Sequence, residues 1–306
     1  MSVTTAPAPI RHAMTVDVED YFQVHAFSRV IPRDSWDGFA RRVEANTDRI
    51  LDQMARAGAQ GTFFTLGWIA ERHPALVRRI VAAGHELASH GWDHTRADAQ
   101  DPPTFAADIR RAKTALEQIG GVPVRGYRAA TFSIGAANPW AFDVLEQEGY
   151  AYSSSIYPVR HDTYGMPDAP RFPHRPRGLS LWELPMTTVA VRGQNLPCSG
   201  GGYFRLLPYP VFRLGLRRYE AAERRPGIFY THPWEFDPGQ PRVAGAGRMS
   251  RFRHYVNLSR TGARFDRLLR DFAWGRIDRV FAEWLDSPAT ATEAQHSGAH
   301  ALAPVA

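Results

Sequence analysis

The chain has 306 residues, long enough for one large α/β domain or two smaller ones, and a hydrophobic content of 44% with eight Trp and 17 Phe provides for a sizeable core. The net charge of +6 would suit a polyanionic partner, yet the basic residues are almost all Arg, scattered through helical stretches without a block, which argues against nucleic-acid binding. The single cysteine, Cys198, excludes an intrachain disulfide framework and a Cys-rich zinc site, and no run approaches the roughly 18 apolar residues of a membrane span.

The N-terminus, "MSVTTAPAPIRHAM", lacks the apolar stretch of a secretory signal, so a cytoplasmic protein is expected. After an extension over 1–12, "AMTVDV" reads as a strand, "WDGFARRVEANTDRILDQMARAG" as a helix closed by Gly58, and "GTFFTLG" as a strand. The alternation continues. "PALVRRIVAAG" is a helix opened near Pro74 and stopped by Gly84, followed by the strand "HELASHG". The helix "PPTFAADIRRAKTALEQIGG" precedes "VRGYRAATF", and "NPWAFDVLEQEG" precedes "YAYSSSIYP". Then come "LSLWELPMTT", a helix around "YPVFRLGLRRYEAAERR" and the strand "GIFYTHPWEF". A Pro, Arg and His-rich loop is expected over 158–180, and "NLPCSGGGYFRLLP" reads as a Gly-rich surface loop over one end of the sheet. The Ala, Ser and Thr-rich stretch over 286–306 reads as a disordered tail, leaving one α/β domain over 13–285.

Residues with chemistry gather where strands end, and in a parallel α/β architecture those ends share one face. Asp17 and Glu19 share a side of the first strand by its period of two, with Asp20 beyond its end. Three crowded carboxylates need a cation or a shared proton, unless they serve as a helix cap and solvated loop charges. "SHGWDH" places His90 and His94 four apart, which on a helical or tightly turned segment presents two imidazoles to one metal. Arg128, ending "VRGYR" among apolar neighbours, is able to hold a carboxylate, and His232 follows the apolar "GIFY". His73 and His85 read as surface or helix-cap residues. Together these ends supply what metal-assisted amide hydrolysis requires: ligands, a base and an acid for the leaving amine.

The order of these motifs resembles the polysaccharide deacetylase superfamily with its chitooligosaccharide-deacetylase homology domain: "TVDVED", "SHGWDH", "RAATF", "WELP" and "YTHPW" stand for its five motifs. "VDVEDYFQV" with "HPWEFDP" is similar to the subfamily of bacterial exopolysaccharide loci associated with exosortase-type sorting. The resemblance implies an α/β fold, a distorted (β/α) barrel of about seven parallel strands wrapped by helices. It implies a metal-dependent hydrolase that removes N-acetyl groups from an amino-sugar polysaccharide or its precursor, with zinc as the expected divalent ion. It further implies Asp17 as general base, Arg128 orienting it, His90 and His94 as metal ligands, and His232 as general acid. The common first motif has two adjacent Asp; here Val18 follows Asp17, which makes Glu19 the third ligand and Asp20 the alternative. Ala129 and Ala130 stand where Pro is frequent, and Glu183 replaces an Asp of the fourth motif. A backbone N–H near Ala130 or Thr131 is expected at the oxyanion, and Trp92, Tyr203 and Trp234 are expected to wall the sugar site, with Trp182 assigned to the core. The rival readings are a small-molecule amidase or cyclic imidase on the same metal site, favoured if the loops over 158–180 and 195–207 close over it, and an inactive sugar-binding module.

Overall fold

The computed structural model describes residues 9–287, so the expected tail from 288 onward lies outside the described residues. Ten strands are found among them: β1 (Arg11–Val18), β2 (Thr62–Thr65), β3 (Glu86–Ser89), β4 (Gly126–Tyr127), β5 (Tyr152–Ser153), β6 (Trp182–Glu183), β7 (Thr188–Val191), β8 (Gln194–Pro197), β9 (Ile228–Thr231) and β10 (Ala273–Gly275). Seven of them form a curled parallel sheet in the order β9-β1-β2-β3-β4-β5-β6, and short β10 adds to the foot of β1, where Arg11 and His12 pair with Ala273 and Trp274. The strand thus takes in two residues of the expected extension. Between β6 and β9 the described residues form no ladder; instead the Thr187 hydroxyl donates to the Ile228 carbonyl (3.0 Å) and accepts from the Ile228 N–H (2.6 Å). The expected barrel is therefore a half-barrel with a side chain across its seam.

The helices α1 (Val43–Arg56), α2 (Gly67–Arg72) with α3 (Pro74–Ala82), α4 (Pro102–Gly120) and α5 (Trp140–Gln147) return the chain from one strand to the next. α4 shows why the ends fall where they do: Asp101 accepts from the Thr104 N–H (2.9 Å), Pro102 needs no partner for a missing N–H, and Gly121 takes the left-handed φ of 67° that stops the helix. α1 is shorter than its sequence pattern, because residues 33–38 form a separate 3-10 turn. His73 sits at the junction of α2 and α3 and contacts Glu44 (2.8 Å). His85 is not at the surface: it is buried, its Nδ1 accepts from the Gly61 N–H (3.1 Å), and burial pushes its pKa down to about 4.

The second half departs further from expectation. "LSLWELPMTT" divides into β6 and β7, and β7 turns back through Arg192 (φ 50°) and Gly193 (φ 78°) into antiparallel β8, the two-residue geometry of a tight hairpin. "NLPCSGGGYFRLLP" is not a surface loop. It supplies β8 and helix α6 (Gly201–Leu206), with Ser199, Phe204 and Arg205 buried. Helix α7 (Tyr209–Glu223) leads to β9, and α8 (Arg248–Tyr255) and α9 (Leu258–Asp271) lead to β10. The short helices α10 (Ile277–Val280) and α11 (Ala282–Leu285) follow, and Ile277 and Phe281 join Phe64, Ala88, Tyr152 and Trp182 in the core inside the curl. Because every main strand is parallel, one end of the sheet receives Asp17, His90, Arg128 and His232 together.

Candidate metal and acid-base site

Arg128 follows β4 and is fully buried. Its Nη1 donates to Asp17 Oδ1 (2.6 Å) and Thr15 Oγ1 (2.8 Å), Nε to the Ser154 carbonyl (3.0 Å) and Nη2 to Ser154 Oγ (3.0 Å), while the guanidinium carbon lies 4.1 Å from the centre of the Phe64 ring. A guanidinium so fully used has no freedom to turn, so it fixes the Asp17 carboxylate as a unit. Asp17 Oδ2 is left facing the cleft, 3.9 Å from His232 Nε2.

His90 follows β3, and its Nδ1 lies 2.8 Å from the Arg128 carbonyl oxygen. A carbonyl only accepts, so Nδ1 carries the proton and Nε2 presents a lone pair. Burial, then the positive charge of His94, drive His90 down to about 4 against the pull of Asp17 and Glu19, which keeps the imidazole neutral. His94 reaches the same point from a tight turn in which Gly91 (φ 77°) and His94 itself (φ 61°) both take left-handed backbone; no helix is needed for the four-residue spacing. Glu19 is 2% exposed. Its Oε1 accepts from the Trp234 indole N–H (3.0 Å), while Oε2 is buried with no donor aligned on it, although His94 Nε2 is 3.0 Å away. Burial would raise this carboxyl, yet the neighbouring His94 and then the positive charge of His232 hold it below the usual carboxylate range. One ligand atom each from Glu19, His90 and His94 falls within 4.8 Å of the others. An orphaned carboxylate oxygen facing imidazole nitrogens suits a divalent cation, and the three form a divalent-metal-binding site.

Asp20 is not part of that group. Its Oδ2 accepts the backbone N–H of Arg42 (2.6 Å) and Val43 (2.9 Å), and its Oδ1 that of Tyr21 (2.9 Å), so the alternative ligand instead caps α1 from outside the helix. Burial pushes its carboxyl up to about 6 even against these three donors. Replacing Asp20 by Ala is expected to lower stability by about 1–3 kcal/mol, the size of a lost cap plus orphaned N–H groups. Metal affinity should change much less than with Glu19→Gln, and urea unfolding beside metal titration of both variants checks the contrast.

His232 follows β9. Its Nδ1 lies 2.5 Å from Glu235 Oε1, whose other oxygen accepts from Arg205 Nε (2.9 Å). Arg205 in turn donates to the carbonyls of Arg253, His254 and Val256. Burial pulls the His232 pKa down, but the Glu235 hydrogen bond and the charges of Glu19, Glu235 and Asp17 outweigh it and lift it to about 9. A second buried guanidinium thus holds a carboxylate at the cleft, and here the carboxylate in turn holds an imidazole. Glu235 and Arg205 were not anticipated. The spacing His232-x-x-Glu235 is the readable signal, since a helical turn after a strand brings the third residue back to the first, and residues 233–236 form such a turn.

Around these groups lies a cleft of about 460 Å³. Thr131, Tyr203 and Trp234 line it as expected from the sequence, and Thr131 does so from a left-handed φ of 55°. Trp92 does not. It packs where a Cβ on Gly67 would meet its ring at 2.4 Å, under the Arg111 guanidinium at 3.4 Å, which makes it a wall between helices. Trp182 lies in the inner core, and Glu183 pins the chain after β5 by accepting from the N–H groups of Ser155 (2.9 Å) and Ile156 (2.8 Å). The expected loops do reach the cleft: His161 and Tyr164 enter from the first, stacked at 3.9 Å, and Gly202 and Leu206 from the second.

Residues 34–153 match a family model described as polysaccharide deacetylase, and residues 154–282 match a domain of unknown function, DUF3473. The first of these segments is thus similar to polysaccharide deacetylases. The chain is 44% identical over 111 residues to a chitooligosaccharide deacetylase of Sinorhizobium fredii, covering 36% of this chain and 49% of that protein. It is 33% identical over 105 residues to one of Rhizobium leguminosarum, covering 33% and 44% respectively. The alignments span under half the length of these curated relatives. Among solved structures, a polysaccharide deacetylase-like protein of Mycobacterium smegmatis superposes with a TM-score of 0.55 at 19% identity, covering 94% of this chain and 96% of that one. A probable polysaccharide deacetylase of Pseudomonas aeruginosa gives 0.54 at 17% identity, covering 80% and 74%. These likenesses show the deacetylase fold. The superfamily match carries His90, His94 and Arg128, whereas His232, Glu235 and Arg205 fall in the second segment and Asp17 and Glu19 precede both. No helix among the described residues is long and apolar enough to cross a membrane.

Proposed function

We propose that the protein is a metal-dependent hydrolase that removes N-acetyl groups from an amino-sugar glycan, the exopolysaccharide or its precursor suggested by "VDVEDYFQV" and "HPWEFDP". The observation that carries this reading is the facing of Asp17 Oδ2 and His232 Nε2 across 3.9 Å beside the Glu19, His90 and His94 group. A divalent ion held by those three side chains, with zinc as our assignment, supplies Lewis-acid polarisation of an amide carbonyl and a lowered water pKa. Asp17 Oδ2 takes the proton of the attacking water while Arg128 keeps the carboxylate aimed. His232 Nε2 gives its proton to the departing amine, and Glu235 on Nδ1 fixes the tautomer and orientation that this needs. Tyr203 and Trp234 offer rings to the sugar. Acetate released from chitotetraose with added divalent ion tests the reading, and no acetate from this or any N-acetylated glycan overturns it.

The small-molecule amidase reading draws support from one feature. Arg253 of α8 and Asp162 of the first loop pair at 3.0 Å, joining two walls of the cleft. Turnover of short cyclic or linear amides with no glycan turnover decides for it. An inactive module is disfavoured by the two intact carboxylate-guanidinium pairs.

Glu235→Gln removes the charge that lifts His232, so the alkaline limb of the pH-rate profile is expected to move to lower pH. The metal-free protein supplies an independent reading. A pKa raised from 6.5 to about 9 adds stability that is fully present below 6.5 and lost as pH rises through about 9, and the variant, which keeps Glu19 and Asp17, should show a smaller dependence. Unfolding by urea on either side of that window measures it.

A further inference from the structure

We propose that a depression beside the cleft, lined by Arg242, Arg248 and Arg251, binds an oxyanion carried by the glycan substrate, a phosphoryl or carboxylate group. This rests on the deacetylase reading and narrows its substrate to an anionic glycan. Residues 238–256 contain four Arg and no Asp or Glu, a local excess of positive charge in a chain whose net charge is only +6. Arg253 is occupied by Asp162, whereas Arg242, Arg248 and Arg251 have no carboxylate within ion-pair distance among the described residues. These three border one depression of about 410 Å³. Its walls are held in place: the Arg242 guanidinium lies 4.2 Å from the Tyr255 ring centre, and the Tyr255 hydroxyl accepts from the Val243 N–H (2.8 Å) and donates to the Pro241 carbonyl (3.0 Å).

The position gives the charge its meaning. Phe252 and Val256 line both this depression and the cleft that holds Asp17 and His232, so a ligand crossing Phe252 occupies both at once. Phe252 is 54% exposed, an aromatic face available to a sugar ring between the two positions. Three guanidiniums without a carboxylate partner are planar forks matched to phosphate and carboxylate oxygens, and an anion among them meets three such forks at once.

The test compares the full-length protein with a variant carrying Arg242→Gln, Arg248→Gln and Arg251→Gln, by calorimetry at low salt. The probes are inorganic pyrophosphate, a tetrasaccharide alternating glucuronate and N-acetylglucosamine, and neutral chitotetraose. We expect at least one anionic probe to bind saturably, to lose 10-fold or more in the variant and to recover with Lys at the three positions, while chitotetraose binds both proteins alike. Binding of pyrophosphate alone assigns a phosphoryl group, and binding of the uronate oligomer alone a carboxylate. Equal binding of the anions by both proteins, binding by neither, or retention only on phosphatidylglycerol vesicles overturns the proposal, the last making the patch a membrane-docking surface. Acetate release is measured in parallel: its absence in both proteins removes the deacetylase reading, while the calorimetric comparison still decides the anion site.

Discussion

Alanine at His90 or at His94 is expected to abolish divalent-metal binding and amide hydrolysis together. Each change removes one of three protein ligands, and in each case the remaining imidazole and Glu19 cannot complete the set. The loss should exceed the roughly 10–100-fold seen when an outer partner is altered, for which Trp234→Phe, removing the donor to Glu19 Oε1, is the internal standard. The site should also become the first part of the apo-protein to loosen, because Glu19 Oε2 is then a buried acceptor without the metal and, in the His94 variant, without the imidazole 3.0 Å from it. Metal stoichiometry after dialysis, read beside hydrogen exchange at residues 17–20, checks both statements. Full metal content at unchanged affinity in both alanine variants would remove the assignment of the site.

Asp17→Asn is expected to cut turnover by about 10²–10⁴-fold, the range for loss of a general base, with metal content preserved. The amide still accepts from Arg128 through Oδ1, so the geometry survives while the basic oxygen is gone. Stability is the second readout. Deleting one partner of a buried ion pair costs about 3–5 kcal/mol, and Asn should fall below that range because Thr15 and Ser154 continue to accept from the guanidinium. Asp17→Ala, which leaves Nη1 with Thr15 alone, should lie within it. Near-normal turnover in the Asn variant would locate the base elsewhere, and the capping bonds of Asp20 already exclude the nearest substitute.

What could be read from the sequence were the residues standing at strand ends. Asp17, His90, Arg128 and His232 each close an apolar run, and parallel strands deliver such ends to one face whatever the details of the turns. The lengths of the runs misled, because apolar character reports burial and not ladder pairing. "VRGYRAATF" contributes only Gly126 and Tyr127 to the sheet, since Thr131 and Phe132 take left-handed backbone to turn into the cleft. Gly126 is needed there: a Cβ would stand 2.1 Å from the Tyr152 ring. Arg205 was hidden for the opposite reason. Its Gly-rich surroundings read as a loop, while its burial depends on three carbonyls near residue 254 that no local pattern reveals. Trp92 illustrates the limit for aromatics, which suit a sugar or a core equally until Gly67 and Arg111 are placed around them.

The pairing of β1 has a bearing on how the protein is made. β1 pairs with β2 soon after both are synthesised, but its other neighbours are Ile228–Thr231 and Ala273–Gly275, which are made long after it. Through most of translation the N–H and C=O groups of one side of "HAMTVD" therefore stand open, flanked by Ala13, Met14 and Val16, which are fully buried at the end. Closure of so distant a pair is slow and leaves an apolar edge free to recruit another chain. A nascent chain stalled before residue 228 should aggregate through this strand, and chains truncated ahead of β9 should demand chaperone assistance that the finished protein does not.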